Sequence, residues 1–285
     1  MLQIGRKSLT EDFEKFRINP KKYLGQNFLV SDIALQTVIK EAEITREDTV
    51  LEVGPGTGLL TERLLKAGAK VVAVEKDKDL FELLKKKYLK AIKKNRLVLV
   101  KADFLDLSFP SFLENLAFKA GKYKVVANLP YQITSPFLER IIERDFLPQS
   151  LILTLQKEVV EKIAIEGKKK SSLGVLIGLC AKKIVLKKIF PPNFFYPQPK
   201  VSSALLLISD LKYPEGVEIK KMRSLIRAGF AERRKKLKNN LKKKFPLFSD
   251  SIEKFWLKKK LNENLRAEQF QKQNWIDLCR CIFNN

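Results

Sequence analysis

The sequence contains no histidine among its 285 residues, and this absence excludes whole classes of chemistry. Histidine-based catalytic triads, histidine acid–base catalysis and histidine-ligated metal sites are all ruled out. Cysteine is scarce too, because only Cys180, Cys279 and Cys281 are present. Three cysteines cannot build a disulfide scaffold, and these lack the ligand spacing of a zinc site. We therefore expect no metal, and three ordinary thiols in a reducing compartment.

Long hydrophobic runs are also missing. The apolar runs are short, such as the one within residues 150–155, and they fall far below the ~18 residues that a membrane span requires. Residues 1–20 carry charges throughout and contain no apolar signal-peptide core. We therefore expect a cytoplasmic protein that does not enter a membrane. Because 45% of the residues are apolar, the chain can still bury the core of one or two domains.

Positive charge is what the sequence has in excess. It contains 56 Lys and Arg against 32 Asp and Glu, which gives a net charge of +24. Residues 212–260 hold 17 Lys and Arg but only 5 Asp and Glu, so this segment carries half of the net charge. Such clustering favours a polyanionic partner, either a nucleic acid or an anionic membrane surface. A merely lysine-coated surface is the alternative, but it would spread the charge more evenly.

Short apolar strands alternate with amphipathic helices in the first part of the chain. We predict strands at 49–53, 71–74, 97–100, 123–127 and 151–155, and helices at 31–44, 59–66, 80–88 and 136–142. The alternation predicts an α/β fold with a parallel, doubly wound sheet, and the chemistry should lie beyond the carboxyl ends of its strands. Further strands are predicted at 175–180, 184–189 and 204–208.

After about Asp210 the pattern becomes helical and basic. We predict an N-terminal extension at 1–20 that is partly ordered at best, a catalytic domain at 21–210 and a helical domain at 211–285. In the last domain, five basic residues lie within six positions, and we expect them to surround one helix and face phosphates of the polyanionic partner. They are Arg233, Arg234, Lys235, Lys236 and Lys238.

A glycine-rich loop, Gly54-Pro55-Gly56-Thr57-Gly58, follows the first predicted strand and opens a helix. The dinucleotide-binding fingerprint requires a further glycine at position 59, where this chain has Leu. Glu75 ends the second strand and could accept both hydroxyls of a ribose. Asp103 ends the third strand and could accept the N6 amine of a cofactor adenine. These placements fit S-adenosylmethionine better than NAD.

The tetrapeptide Asn128-Leu129-Pro130-Tyr131 ends the fourth predicted strand. An exocyclic amine on an aromatic base is a poor nucleophile because its lone pair is delocalised. The Asn128 side-chain oxygen and the Leu129 carbonyl could accept hydrogen bonds from the two N–H groups of this amine and pull the nitrogen toward a tetrahedral shape. Pro130 fixes the turn, and Tyr131 could stack on an extruded base. An ordinary turn is the alternative, but its position beside a glycine loop argues against it.

Together these motifs resemble the rRNA adenine N6-dimethyltransferase family, in particular its KsgA/RsmA branch. The resemblance runs from about Lys22 to Cys279. The segments that carry it are 22–29 (KYLGQNFL), 52–58 (EVGPGTG), Glu75, Asp103, 128–131 (NLPY), 195–204 (FYPQPKVSSA), 230–237 (FAERRKKL) and 266–268 (RAE).

The resemblance implies a Rossmann-like class I methyltransferase sheet followed by a small, basic, all-helical domain. It implies that Asn27 and Leu29 contact the methionine end of S-adenosylmethionine, that Gln26 also binds the cofactor, and that the loop glycines line it. It further implies that Asn128 serves cofactor and target, and that Phe195 stacks on the target adenine opposite Tyr131. We also expect Lys200 to contact RNA.

The implied reaction is dimethylation of two adjacent adenines near the 3′ end of small-subunit rRNA, late in 30S assembly, by a monomer. One alternative is the related 23S rRNA methyltransferase of macrolide resistance, which typically carries Asn-Ile-Pro-Tyr where this chain has Leu129. Another is a non-catalytic RNA-binding assembly factor, which predicts a damaged cofactor loop or a lost Asn128. Both features are intact here.

Overall fold

The structure is a computed structural model that describes residues 3–108, 111–116, 118–142, 146–164 and 170–283. Its strands are β1 (Phe28–Leu29), β2 (Thr49–Val53), β3 (Lys70–Glu75), β4 (Leu97–Lys101), β5 (Tyr123–Asn128), β6 (Ser150–Gln156), β7 (Ala181–Phe190), β8 (Phe195–Tyr196) and β9 (Ser203–Leu211). Its α-helices are α1 (Gln3–Phe16), α2 (Asp32–Ala42), α3 (Leu59–Ala67), α4 (Lys78–Lys87), α5 (Leu89–Lys93), α6 (Ser111–Asn115), α7 (Thr134–Ile142), α8 (Lys157–Ala164), α9 (Ser172–Cys180), α10 (Ile219–Gly229), α11 (Leu237–Lys244), α12 (Ser249–Lys258) and α13 (Lys272–Phe283).

Within the described residues, seven strands form one sheet in the order β4-β3-β2-β5-β6-β9-β7. The strands β4, β3, β2, β5 and β6 are parallel, while β9 runs antiparallel to β6. The predicted parallel sheet is therefore confirmed. The strand order reverses between β2 and β5, and such a switch point leaves a crevice at the carboxyl ends of the strands.

The segment 175–180 was predicted as a strand, and that prediction is wrong because it lies in helix α9. Ser171 caps this helix, since its side chain accepts a hydrogen bond from the Gly174 backbone N–H at 3.0 Å. Nearly every residue of α9 is buried, so the segment is apolar on all sides. An apolar run without periodicity does not distinguish a buried strand from a buried helix.

The chain divides into two compact units. The first contains residues 1–160 and 183–211, and the second contains residues 161–182 and 212–285. Residues 161–182 were predicted to belong to the first domain, whereas the structure groups α9 with α10 and α13 of the second unit. None of the helices in the described part of the chain is long and apolar enough to cross a membrane.

The N-terminal extension was expected to be partly ordered at best, but the structure forms helix α1 there. Leu9 is completely buried and Phe13 is 8% exposed. The Phe13 ring meets the Phe28 ring edge-on, with centroids 5.4 Å apart. An ion pair between Lys87 Nζ and Asp12 Oδ2, 2.6 Å apart, joins α1 to α4. Burial of these apolar side chains is what orders the extension, and sequence motifs could not reveal it.

Phe13→Ala should lower the free energy of unfolding by about 3 kcal/mol, the usual cost of removing a buried phenyl ring. Chemical denaturation measures this loss directly. Glu14→Ala is the matched control, because Glu14 is an exposed neighbour on the same helix. Equal stability of the two variants would show that α1 does not belong to the core.

Candidate active site

Most of the predicted site residues line one cleft at the carboxyl edge of the sheet. The cleft is lined by Gln26, Asn27, Gly54, Gly56, Glu75, Asp103, Asn128, Leu129, Pro130 and Tyr131, among others. These side chains come from distant parts of the sequence. The lining residues that follow β2, β3, β4 and β5 meet because these strands are parallel and end at the same edge.

The glycine loop brings its backbone against the neighbouring strand end. Gly56 has a φ of +61°, and a Cβ atom there would lie 2.8 Å from the Phe28 ring. Its backbone N–H donates to the Glu75 carboxylate at 3.1 Å. At the far end of the loop, the Tyr88 hydroxyl donates to the Gly58 carbonyl at 2.7 Å. Only glycine fits at position 56, and the tight loop leaves the cleft open beside Glu75.

Glu75 is 6% exposed, although it lies at the cleft. Burial raises the pKa of its carboxyl to about 7, against hydrogen bonds from the Asp77 and Gly56 backbone N–H groups that lower it. Each carboxylate oxygen already accepts one of these hydrogen bonds and keeps a second lone pair. Two ribose hydroxyls could use those lone pairs, so the residues present fit the ribose of S-adenosylmethionine.

A second buried carboxyl lies behind the glycine loop. Glu52 is 1% exposed and accepts a hydrogen bond from the Thr61 hydroxyl at 2.7 Å. Burial raises the pKa of Glu52 to about 8. This carboxyl is therefore mostly protonated at neutral pH.

Asp103 lies at the other end of the cleft. Its Oδ1 accepts from the Leu105 backbone N–H at 2.9 Å, and its Oδ2 pairs with Lys76 Nζ at 2.6 Å. Burial opposes ionisation, but the hydrogen bonds from Lys76 and the Leu105 backbone N–H, together with the charges of Lys76 and Arg140, outweigh it, so the pKa of Asp103 falls below its usual value. The Asp103 carboxylate can accept a hydrogen bond from an adenine amine, provided that it shares its oxygens between this amine and the exposed Lys76.

A polar cluster that was not predicted from the sequence holds the segment before β1 against the start of α4. Asp77 is almost fully buried, and its carboxylate accepts from Lys21 Nζ at 2.7 Å and from Gln26 Nε2 at 2.8 Å. The Gln26 side-chain oxygen in turn accepts from the Lys21 backbone N–H at 2.7 Å. Gln26 therefore shapes the wall of the cleft. The sequence signal that could have indicated this cluster is Asp77, which lies two residues after Glu75 and is of a residue type that commonly caps the start of a helix.

The side chain of Asn128 has a fixed orientation. Its Nδ2 donates to the backbone carbonyl of Asn27 at 2.9 Å. A carbonyl can only accept, so the amide nitrogen must face Asn27, and Oδ1 remains as an acceptor. Leu129 follows in the loop, and Tyr131 begins a short 3-10 turn. The arrangement supplies a preset acceptor beside the cleft.

Tyr131 is half-buried, and its hydroxyl lies 2.9 Å from the Ser203 hydroxyl. Burial raises the pKa of the phenol, so the ring stays neutral. One hydrogen bond fixes the far end of the ring, while the residue lines the cleft. This geometry suits a stacking partner that must hold its position.

Phe195 was predicted to stack on the target base, and the structure buries its ring. Phe195 is 0% exposed and belongs to the core, and in strand β8 it pairs with Leu29 of β1. A fully buried ring cannot stack on an extruded base without moving. Leu29 is likewise buried and borders a small adjoining cavity, while Gly58 forms the loop turn. These three residues shape the site without lining the main cleft.

Tyr131→Ala should therefore impair target binding, whereas Phe195→Ala should impair the stability of the protein. Tyr131→Ala should weaken target engagement by about 1–3 kcal/mol, the usual size of one base–aromatic stack, and Tyr131→Phe should recover most of it. Phe195→Ala should instead lower the free energy of unfolding by about 3–5 kcal/mol. Methyl-transfer kinetics and denaturation on the same variants separate the two effects. A stable Phe195→Ala protein with impaired target binding would instead support the stacking role of Phe195.

The predicted RNA-contacting residues are not on one helix. Residues 231–236 form a turn between α10 and α11, and Arg233, Arg234, Lys235 and Lys236 are exposed there. The helix is interrupted because Asn240 Nδ2 donates to the carbonyls of Gly229 and Glu232, at 2.9 and 3.0 Å.

Lys238 differs from its neighbours in the basic cluster. Its side chain is only 11% exposed and forms ion pairs with Glu253, at 2.9 Å, and with Glu263. The geometry thus favours a structural role for Lys238. In the other unit, Lys200 is exposed in the loop before β9. Within the described residues, no cluster of Cys, Asp and Glu could hold a metal ion.

Two solved structures share this fold. The 23S rRNA methyltransferase ErmE matches with a TM-score of 0.66 and 22% identity, over 90% of this chain and 99% of that one. A dimethyladenosine transferase from Plasmodium falciparum matches with a TM-score of 0.68 and 24% identity, over 87% and 94%. The chain therefore has the class I methyltransferase fold, with a cleft at the switch point of its sheet.

Sequence comparison identifies the family. The profile described as ribosomal RNA adenine dimethylase matches residues 17–283. A protein named ribosomal RNA small subunit methyltransferase A from Clostridium botulinum (strain Loch Maree / Type A3) is 35% identical, over 96% of this chain and 98% of its own. The protein of the same name from Nostoc sp. is 34% identical, over 93% and 98%. The chain belongs to the ribosomal RNA adenine dimethylase family, which confirms the resemblance.

Proposed function

We propose that this protein transfers methyl groups from S-adenosylmethionine to N6 of two adjacent adenines near the 3′ end of small-subunit rRNA. Each adenine would become N6,N6-dimethyladenosine, on an immature 30S subunit, by the action of a monomer. The observation that carries the chemistry is the Asn128 amide, held by the Asn27 carbonyl so that its oxygen is an acceptor. The names of the relatives support the choice of RNA.

In this proposal the cofactor lies along the strand ends. Gly54 and Gly56 give it a close backbone wall, Glu75 accepts its ribose hydroxyls, and Asp103 accepts its adenine amine. The wall formed by Gln26 and Asn27 encloses the methionine end. When bound, S-adenosylmethionine supplies an electrophilic methyl group, so the protein needs no metal or strong base.

The target adenine would leave its stack and enter beside Tyr131. Asn128 Oδ1 and the Leu129 carbonyl would accept the two amine N–H groups, which localises the nitrogen lone pair toward the methyl group. These acceptors act most strongly as positive charge develops on the nitrogen, so they favour the transition state over the ground state. The proton released by the methylated amine can pass to water, and no histidine is required.

The second unit would hold the folded RNA. Its exposed Arg233, Arg234, Lys235 and Lys236 can approach phosphates without reading base sequence. Lys200, exposed in the first unit, is a further candidate for a phosphate contact. Recognition of shape and backbone suits a large structured RNA.

Transfer of labelled methyl groups to purified ribosomal subunits tests the proposal. Immature 30S subunits should accept label, whereas 50S subunits and 23S rRNA should not. Hydrolysis of the RNA should release N6,N6-dimethyladenosine. Label entering only 23S rRNA would instead favour the macrolide-resistance activity, and binding without transfer would favour a non-catalytic assembly factor.

A further inference from the structure

The second unit contains a cleft of about 580 Å³ that none of the predicted site residues lines. One wall is a face of α10, and the opposite wall is α11 together with the turn that joins the two helices. The lining residues are Lys220, Arg223, Ser224, Arg227, Ala228, Ala231, Glu232, Asn240, Lys243 and Lys244. This volume falls within the range of ordinary ligand-binding clefts.

The lining of this cleft is strongly cationic. Five of its side chains are Lys or Arg, and Glu232 is the one acid among them. Glu232 is itself paired with Lys235, at 2.6 Å, and with Lys243, at 3.1 Å. Within the described part of the chain, the exposed Lys220 and Lys244 form no ion pair. The cleft therefore retains an excess of positive charge that an anion could neutralise.

The shape of the cleft is built into the fold. On α10, Lys220, Arg223 and Arg227 recur at helical spacing, and the small residues Ser224 and Ala228 lie on the same face and leave room between them. Lys220 and Arg227 are about 10 Å apart along the helix axis, because each residue rises 1.5 Å.

Hydrogen bonds fix the opposite wall of the cleft, which is formed by α11 and the turn before it. The hydrogen bonds from the buried Asn240 to the Gly229 and Glu232 carbonyls fix the turn against α11. The cleft is thus formed before any ligand arrives.

We propose that this cleft binds the sugar–phosphate backbone of a folded RNA, at a site additional to the turn 231–236. The inference rests on the proposed function and deepens it, because it assigns a second phosphate-contacting surface. An anionic membrane is a less suitable partner, since a flat bilayer surface cannot enter a concave cleft. A backbone ridge can enter it and contact cations on both walls.

The test replaces one cation on each wall. Lys220→Gln/Lys244→Gln should weaken rRNA binding about tenfold and lower the slope of log affinity against log salt by about 1.5 to 2. Lys254→Gln/Lys258→Gln is the matched control, because it removes the same charge from exposed positions of α12. The control should bind RNA like wild type. Filter-binding titrations with small-subunit rRNA give both quantities, and thermal unfolding confirms that each variant is folded.

Equal titrations for the cleft variant and its control would overturn the cleft site. The cleft site would also be overturned if the cleft variant lost binding to phosphatidylglycerol vesicles but kept its affinity for RNA. Methyl transfer by the wild type is measured in parallel. If the wild type methylates small subunits while the two variants bind alike, only the cleft inference fails. If the wild type transfers no methyl group, the proposed function fails, and the titration still decides the role of the cleft.

Discussion

Asn128→Ala should slow methyl transfer by about 10²- to 10³-fold, the cost of removing one group that stabilises charge in a transition state. RNA affinity should change far less, because the Asn128 oxygen acts chiefly as the nitrogen becomes tetrahedral. Single-turnover transfer at saturating RNA and cofactor isolates this step. Transfer at the wild-type rate would remove Asn128 from the reaction.

Asn128→Asp tests the orientation of the side chain. It retains an acceptor of the same size but loses the N–H group that donates to the Asn27 carbonyl. A carboxylate oxygen would face that carbonyl, so the side chain should turn away and the rate should remain low. Full activity of Asn128→Asp would show that the Asn27 contact does not orient the acceptor.

Cofactor affinity should rise with pH between about 5.5 and 7 and then level off. In the empty cleft burial raises the pKa of Glu75 to about 7, so the carboxyl is protonated below that pH. Ribose hydroxyls donate to the carboxylate and lower its pKa in the complex, so binding releases a proton. Affinity should then fall up to tenfold per unit below pH 7. Calorimetry across this range, in buffers of different ionisation enthalpy, measures the released proton.

The Glu75 carboxyl should affect the stability of the protein in the opposite direction, so that stability falls as the pH rises. The pKa of Glu75 is near 4.5 when unfolded and about 7 when folded, so the folded protein binds the proton more tightly. Between these values the free energy of unfolding should fall as pH rises, by about 3 kcal/mol at most. Denaturation of the cofactor-free wild type and of Glu75→Gln at pH 5 and pH 7 isolates this loss, because Glu52, whose pKa is raised to about 8, contributes a similar fall to both proteins.

Glu75→Gln should weaken cofactor binding at pH 8 by about 10- to 100-fold, because charge-assisted hydrogen bonds are lost. It should also abolish the rise of affinity between pH 5.5 and 7. Glu52→Gln is the control, because it removes the other buried carboxyl at this edge and should leave that rise in place. Unchanged affinity in Glu75→Gln would exclude Glu75 from the ribose site.

The sequence was sufficient to predict that these site residues share one cleft. Gly54, Glu75 and Asn128 each follow a short apolar strand, and parallel strands must bring their carboxyl ends to one edge. The spacing therefore implied proximity without any knowledge of side-chain positions. The same reasoning did not reveal how Asn128 is oriented, because its partner Asn27 is 101 residues away in the sequence.

Other features depend on tertiary packing and could not be read from local patterns. The apolar run of α9 resembles a strand until its helical partners are known. Lys238 looks like its basic neighbours, yet Glu253 and Glu263 from later segments enclose it. Phe195 belongs to a recognisable motif, but its burial is set by the pairing of β8 with β1. In each case a distant segment decides the environment of the residue.

The most direct test of the central claim is to map the methylated nucleotide. Small subunits that lack the modification are incubated with the protein and S-adenosylmethionine, and the rRNA is analysed by primer extension and mass spectrometry of fragments. Two adjacent adenines near the 3′ end of the small-subunit rRNA should each gain two methyl groups, and Asn128→Ala should leave them unmodified. Methylation of a single adenine elsewhere, of 23S rRNA, or of no RNA at all would contradict the claim.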